Sequence, residues 1–279
     1  MADAAKVQLS NMAQRVITAA VVAPIVVAAV LVGGIVFTVM VAVFATVGVT
    51  EFYILARNRP SQGSALVGIP TLIGVIIGFH LGDPLVWLGA LALGAAATFV
   101  LEFFRHSAEL TRSLFQVGMT LAGVLYLGFP SGFLIGLRSL TDGALWILLL
   151  LCVTWGTDTF AYIGGRLWGK TKLAPRLSPK KTREGAVVGV LGGIFPSLIL
   201  PLVADRLMPA TLVLIIVGPF VAILGDLLES ALKRFFQVKD SHIAGLNILP
   251  GHGGILDRID SLLLVTTFAY LDFLLLGLH

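Results

Sequence analysis

Charged residues and cysteine are both scarce in this chain, and each scarcity excludes a class of protein. Charged side chains make up only 12% of the 279 residues, whereas hydrophobic side chains make up 57%. A water-soluble domain of this length does not need so much apolar surface, so lipid must be part of its solvent. The single cysteine, Cys152, excludes an internal disulfide framework and a cysteine-ligated metal cluster.

Apolar runs long enough to cross a bilayer recur along the whole chain. A transmembrane helix needs about 20 predominantly apolar residues, and this criterion gives about nine spans. We therefore predict an all-α, polytopic membrane protein of about nine transmembrane helices. The predicted spans are 16–33, 35–55, 66–81, 84–104, 113–135, 143–165, 185–204, 209–235 and 255–278.

The basic residues are distributed unevenly between the two sides of these spans. With the N-terminus in the cytoplasm, only Arg138 and Arg206 fall outside, which leaves 17 of the 19 lysine and arginine residues inside. Because cytoplasmic loops carry an excess of basic residues, this predicts an N-in, C-out protein of the inner (cell) membrane.

Two of the predicted cytoplasmic loops are much longer than the others. They cover 166–184 and 236–254, both are basic, and both are flanked by spans that carry carboxylates. Function is concentrated in loops that a rigid scaffold positions. We therefore predict a scaffold of membrane helices over 1–140, which also offers contacts for a dimer, and a catalytic membrane domain over 141–279 with its active site on the cytoplasmic side.

Acidic side chains are predicted to share one face on each of the last two helices. Asp226, Glu229 and Lys233 stand at i, i+3 and i+7, and Asp257 and Asp260 stand three residues apart. A single loop joins the two helices, so their carboxylates can converge. Carboxylates that meet in a membrane repel each other unless a cation or a proton lies between them.

A magnesium ion suits two of these carboxylates. Mg²⁺ prefers oxygen ligands and is often held by one or two carboxylates together with substrate phosphates. We assign it to Asp226 and Asp257, and we expect Glu229 to form an ion pair. The alternative is a set of salt bridges that join Asp226 or Glu229 to Lys233, Arg234 or Arg258.

The loop before the seventh predicted span has the composition of an anion-binding site. Ser178, Lys180, Lys181 and Thr182 precede a predicted helix N-terminus, where free backbone N–H groups and the helix dipole favour anions. The alternative is a loop made basic by topology or by attraction to anionic lipid headgroups. Asp158, near the end of the sixth span, has either a functional or a helix-packing role.

Beyond these patterns, the chain resembles the phosphatidate cytidylyltransferase family, the CDP-diacylglycerol synthases. The resemblance is carried by 225–234, 239–240 and 249–261, with further similarity at 158–162 and 178–185. There are two departures: 241–247 lengthens the loop after Asp240, and Arg183 stands where the family often has an aromatic residue. The N-terminal half agrees only in being apolar and helical.

The resemblance implies that CTP and phosphatidate react to give CDP-diacylglycerol and pyrophosphate, in phospholipid biosynthesis. It also implies a Mg²⁺ cofactor, membrane-lipid substrates, no nucleic-acid partner and a homodimer. A second, monovalent cation is left open. The expected catalytic residues are Asp226, Asp257, Lys233 and Arg258. The expected substrate-binding residues are Asp158, Ser178, Lys180, Lys181, Thr182, Glu184, Arg234, Lys239, Asp240, His252 and Asp260.

Two other functions are compatible with the same residues. An ion-coupled secondary transporter also has many spans with buried carboxylates, although no inverted repeat is visible and the polar residues cluster at one face. A CTP-dependent lipid-alcohol kinase shares the need to bind phosphates.

Overall fold

The computed structural model describes residues 18, 20–56, 63–105, 109–238 and 254–276. Over these residues the chain forms nine α-helices and one two-stranded β-hairpin. The elements are α1 (Ala20–Val32), α2 (Gly34–Ala56), α3 (Ala65–Leu81), α4 (Pro84–Arg105), α5 (Leu110–Ser139), α6 (Gly143–Trp168), β1 (Lys172–Ala174), β2 (Ser178–Thr182), α7 (Arg183–Val203), α8 (Pro209–Phe235) and α9 (Leu256–Leu275).

The helices coincide with the predicted apolar runs, and six of those described are long and apolar enough to cross a membrane: α2, α4, α5, α6, α7 and α8. The others fall short for identifiable reasons. The described part of α1 and the whole of α3 have fewer than 18 residues. Helix α9 has 20 residues but carries Asp257, Arg258, Asp260 and Asp272. The structure therefore shows a multi-pass helical membrane protein, while the count of nine spans stays a prediction.

The surface of the bundle is apolar, as expected for a protein solvated by lipid. Large hydrophobic side chains such as Leu85, Phe104 and Val203 are more than three-quarters exposed. Inside, α2 packs against α3 and α5, while α6 packs against α7 and α8 packs against α9. Helices α5 and α9 also pack against each other and connect the two halves of the chain.

Local signals in the sequence explain where several helices begin and end. Helix α3 ends at Gly82, whose φ of 67° is the left-handed conformation that glycine adopts at little cost. Helix α7 begins after Thr182, whose hydroxyl oxygen accepts a hydrogen bond from Gly185 N. Helix α8 begins with Pro209, which is well suited to a first helical position.

The segment predicted as the loop 166–184 is more ordered than expected, and this corrects a purely helical fold. Helix α6 continues to Trp168, β1 and β2 pair antiparallel, and α7 begins at Arg183. The carboxylate of Glu184 explains the local order, because it accepts hydrogen bonds from the backbone amides of Lys170 and Thr171 at 3.1 Å. The hairpin is thereby tied to the first turn of α7.

Candidate active site

The hairpin delivers a lysine to an aspartate of α8. Successive side chains of a strand point to opposite faces, and in β2 Lys180 is exposed whereas Lys181 is half-buried. The Lys181 ammonium forms an ion pair with the carboxylate of Asp226. The two side chains are 24% and 31% exposed, respectively, so the pair is only partly shielded from solvent. This contact joins the basic segment before α7 to the acidic face of α8.

A glycine allows α8 and α9 to approach closely beside this pair. A Cβ atom at Gly225 would lie 2.9 Å from Cα of Ser261 and 3.0 Å from the carbonyl oxygen of Asp260. Only a residue without a side chain permits such a close approach of two backbones. Because Asp226 follows Gly225, the crossing brings Asp226 and Asp260 to the same part of the interface.

A third aspartate, Asp158 of α6, faces the same region. The charge of Asp158 interacts with those of Asp226, Lys181 and Arg258. The charge of Asp260 interacts with those of Asp226, Asp158 and Lys181. The side chain of Asp158 is exposed. Three aspartates from three helices and two cationic side chains therefore meet at one end of the bundle.

A second group of charges lies farther along the α8–α9 interface. The Lys233 ammonium is 2.5 Å from Glu229 Oε2 and 3.0 Å from Asp257 Oδ1. Glu229 is almost fully buried, at 2% side-chain exposure, and Lys233 and Asp257 are 19% and 14% exposed. The ion pair predicted for Glu229 is confirmed. Lys233 also forms an ion pair with Asp257, a contact that the sequence analysis did not predict.

The remaining predicted residues of this segment lie along β2 or hold the hairpin in place. Ser178 is half-buried at the start of β2, next to exposed Lys180. Arg234, in the last turn of α8, donates from Nε to the carbonyl oxygen of Leu177 at 3.3 Å. The contact ties the tip of the hairpin to the end of α8. Glu184 and Thr182, described above, attach its base to α7.

The predicted site residues therefore fall into three groups. Lys239, Asp240 and His252 lie outside the described residues. The first charge group contains Asp158, Lys181, Asp226, Arg258 and Asp260, and the second contains Lys233 and Asp257. Asp226 and Asp257, the two aspartates assigned to Mg²⁺, therefore belong to different charge groups, and each forms an ion pair with a lysine. The predicted residues on or against the hairpin are Ser178, Lys180, Thr182, Glu184 and Arg234.

The donors at this site fit a divalent cation that is held partly by substrate. Among the described residues, no group of three or more acidic, histidine or cysteine side chains is arranged to hold a metal by itself. Mg²⁺ does not require such a group, since one or two carboxylates and phosphate oxygens commonly suffice. The two charge groups contain more acidic than basic side chains, and a Mg²⁺ ion would offset that formal excess of negative charge.

One buried acidic residue near the site escaped the sequence prediction. From the sequence, Glu51 of α2 is an interface or packing residue at the end of a span; in the structure its carboxylate accepts hydrogen bonds from the backbone at the start of α9. The one sequence signal for this contact is the residue before α9. Helix α9 begins after Ile255, whose apolar side chain cannot cap a helix, so another residue has to accept hydrogen bonds from its first N–H groups.

The chain is similar to known proteins over almost its whole length. Residues 13–276 match the cytidylyltransferase family. The chain belongs to that family. It is 33% identical to a phosphatidate cytidylyltransferase of Bacillus subtilis over 271 residues, which cover 93% of this chain and 97% of the relative.

Two staphylococcal relatives extend the comparison. A phosphatidate cytidylyltransferase of Staphylococcus saprophyticus is 38% identical over 72% of this chain and 76% of its own length. One from Staphylococcus aureus is 34% identical over 84% of this chain and 88% of its own length. The similarity to these members of the cytidylyltransferase family thus reaches well beyond the charged motifs and into the N-terminal helices.

Proposed function

We propose that the protein transfers the cytidylyl group of CTP to phosphatidate, giving CDP-diacylglycerol and pyrophosphate. The observation that carries this proposal is the Lys181–Asp226 pair, which joins two segments of the family motif at one end of an apolar bundle. The similarity to phosphatidate cytidylyltransferases supports the same reaction.

The reaction forms one bond and breaks one. An oxygen of the phosphatidate phosphate attacks the α-phosphorus of CTP, the bond from that phosphorus to the β-phosphate oxygen breaks, and pyrophosphate leaves with the electron pair. The nucleophile is already an anion, so no general base is needed. The protein's main task is to bring two anions together and to stabilise the charge on the leaving group.

The cationic side chains supply that stabilisation. Lys181 and Lys233 are each held by carboxylates at the site, so they are positioned before substrate binds. Together with Arg258 they neutralise phosphate oxygens near the reacting phosphorus. Exposed Lys180 and Arg234 on the solvent side meet the outer phosphates of CTP. The half-buried Ser178 donates a hydrogen bond to a phosphate oxygen, and Thr182 remains part of the cap of α7.

Asp226 and Asp257 would hold Mg²⁺, which when bound supplies charge neutralisation between the nucleotide and lipid phosphates. Asp158 and Asp260 orient the cationic side chains and bound water around them. Lys239, Asp240 and His252 complete the binding of substrate in this proposal. A second, monovalent cation and a homodimeric assembly belong to it as well.

The site is proposed to face the cytoplasm at the inner leaflet of the cell membrane. Two basic residues are predicted to lie outside. Arg138 is near the beginning of α6, and Arg206 is between α7 and α8. Asp158 lies near the other end of α6, where the bundle carries its basic hairpin. CTP then enters from water, while phosphatidate keeps its acyl chains in lipid.

The test uses purified protein in detergent with phosphatidate, Mg²⁺ and CTP labelled in the α- or the γ-phosphate. Cytidylyl transfer puts the α-label into lipid and the γ-label into pyrophosphate. A lipid kinase would put the γ-label into lipid, and a transporter would label no lipid. Either of those outcomes contradicts the proposal.

Matched asparagine variants place the reaction at the site. D226N and D257N should each lower formation of CDP-diacylglycerol by at least about a hundredfold, as expected for the loss of a group that stabilises the transition state. D142N is the control, because Asp142 pairs with Arg206 at the far end of α6. Near-normal turnover in D226N or D257N removes the metal assignment.

A further inference from the structure

Helix α9, which carries Asp257, Arg258 and Asp260, begins without a capping side chain of its own. Its N-cap residue is Ile255, and no side chain hydrogen bond is made from that position. The first N–H groups of any helix have no acceptor within the helix. In the buried start of α9, where Ile255 and Leu256 are 3% and 1% exposed, water is a poor substitute.

Glu51 of α2 provides the missing acceptors from 204 residues away. Its Oε1 accepts from Ile255 N at 3.0 Å, and its Oε2 accepts from Leu256 N at 2.7 Å. Glu51 is itself only 2% exposed. A carboxylate that accepts two backbone hydrogen bonds at a helix N-terminus makes strong, charge-assisted contacts that fix both distance and direction.

The next residue on α2, Phe52, contacts the end of α8. The Phe52 ring packs edge-to-face on Phe236, which follows the last turn of α8, with ring centroids 5.9 Å apart. Phe52 and Phe236 are both buried. Consecutive residues of α2 thus contact the end of α8 and the start of α9. The N-terminal half of the chain thereby sets the distance between the two helix ends that carry Lys233 and Asp257.

We infer that Glu51 is a positioning residue for the reaction: it fixes the start of α9 through the amides of Ile255 and Leu256, and thereby the places of Asp257 and Arg258. In this role Glu51 acts through the two amides of α9 and not on the substrate itself. The inference rests on the proposed function for its kinetic consequence, but the contact itself can be tested without activity.

The physical consequence of losing this contact is specific. Glutamine keeps one oxygen acceptor and replaces the other with an amide group, which cannot accept from the second N–H. The first turn of α9 then loses a fixed point, and Asp257 moves relative to Lys233. A misplacement of about 1 Å can cost about a hundredfold in rate. The hairpin of β1 and β2, which is tied to α7, keeps its geometry, so CTP binding changes little.

The experiment compares E51Q and E51A with E102Q. Glu102 is also a buried glutamate near the end of a scaffold helix, at 3% exposure, and it pairs with Arg105 of the same helix. We expect E51Q to lower kcat by about ten- to a hundredfold, with KM for CTP changed by less than about threefold. E51A should be at least as impaired, whereas E102Q should keep the kcat of the unsubstituted protein.

Hydrogen–deuterium exchange gives the readout that does not depend on activity. In E51Q, exchange in the peptide that contains Ile255 and Leu256 should be faster by about tenfold, because these amides lose an acceptor. The same peptide should be unchanged in E102Q. If E51A fails to fold in detergent, E51Q decides alone.

The outcomes separate this inference from the proposed function. If the unsubstituted protein forms no CDP-diacylglycerol, the proposed function fails, and with it the kinetic role of Glu51; the exchange data still test the contact. If the unsubstituted protein is active and E51Q exchanges faster with an unchanged kcat, the positioning role is overturned. It is also overturned if E51Q and E102Q match in both kcat and exchange, or if E51Q raises KM alone.

Discussion

The ammonium of Lys233 on α8 lies 3.0 Å from a carboxylate oxygen of Asp257 on α9. The same ammonium is 2.5 Å from Glu229, one turn earlier on α8. Because Glu229 is buried, this lysine compensates a carboxylate that water cannot solvate. The contact therefore couples the stability of the α8–α9 interface to the arrangement of the proposed site.

The first prediction follows from that coupling. K233M removes the cation but keeps a side chain of similar length, and it should lower the free energy of unfolding in detergent by about 3 kcal/mol because two carboxylates lose their partner. Exposed Lys172 provides the control variant, K172M, which should be neutral within about 0.5 kcal/mol. Thermal or chemical unfolding of both variants is the measurement, and equal stabilities would contradict the prediction.

The second prediction concerns the close approach of α8 and α9. G225A places a methyl group 2.9 Å from Cα of Ser261, so the helices must separate. We expect a loss of stability of about 1–3 kcal/mol and a rate of CDP-diacylglycerol formation at least about tenfold lower. G89A is the matched control, since a Cβ atom at Gly89 would meet nothing within 4 Å. If G225A behaves like G89A, the crossing at Gly225 does not position the site.

The third prediction separates two neighbouring lysines of β2. Lys181 pairs with Asp226, whereas Lys180 is exposed. K181M should lower kcat by at least about a hundredfold, because it removes a charge beside the reacting phosphorus. K180M should instead raise KM for CTP several-fold with a smaller effect on kcat, because it removes a contact to the outer phosphates. Steady-state kinetics with CTP measures both constants, and the reverse pattern would exchange the two roles.

The fourth prediction tests orientation in the membrane. In a C152A background, a cysteine at exposed Thr141 or exposed Arg176 provides one label site near each end of α6. With the proposed orientation, a membrane-impermeant maleimide should label T141C in intact spheroplasts and R176C only after permeabilisation. Labelling of R176C in intact cells would place the basic hairpin outside and contradict a cytoplasmic site.

The helices could be predicted from sequence because lipid imposes a length on each of them. Every predicted apolar run corresponds to a helix, and α8 has the predicted bounds, 209–235. The shared face of Asp226, Glu229 and Lys233 also follows from helical spacing alone. These features depend on residues within a few helical turns of each other, and for such residues the spacing along the sequence determines which of them share a face.

The β-hairpin and the longer-range contacts could not be predicted in this way. The strands have only three and five residues, Pro175 lies between them and Pro179 lies within β2, so the sequence there is typical of a loop. The hairpin is ordered by the carboxylate of Glu184, which accepts hydrogen bonds from two backbone amides. Likewise, the partners Lys181 and Asp226, or Glu51 and Ile255, meet only after separate helices have packed.

The central claim is that Asp226 and Asp257 hold a divalent cation where nucleotide and lipid phosphates meet. Titration of the purified protein with Mn²⁺ in place of Mg²⁺, followed by electron paramagnetic resonance in the presence of CTP, tests it most directly. The account predicts saturable Mn²⁺ binding that D226N and D257N each weaken by at least about tenfold, while D142N binds normally. Unchanged Mn²⁺ binding in both D226N and D257N would contradict it.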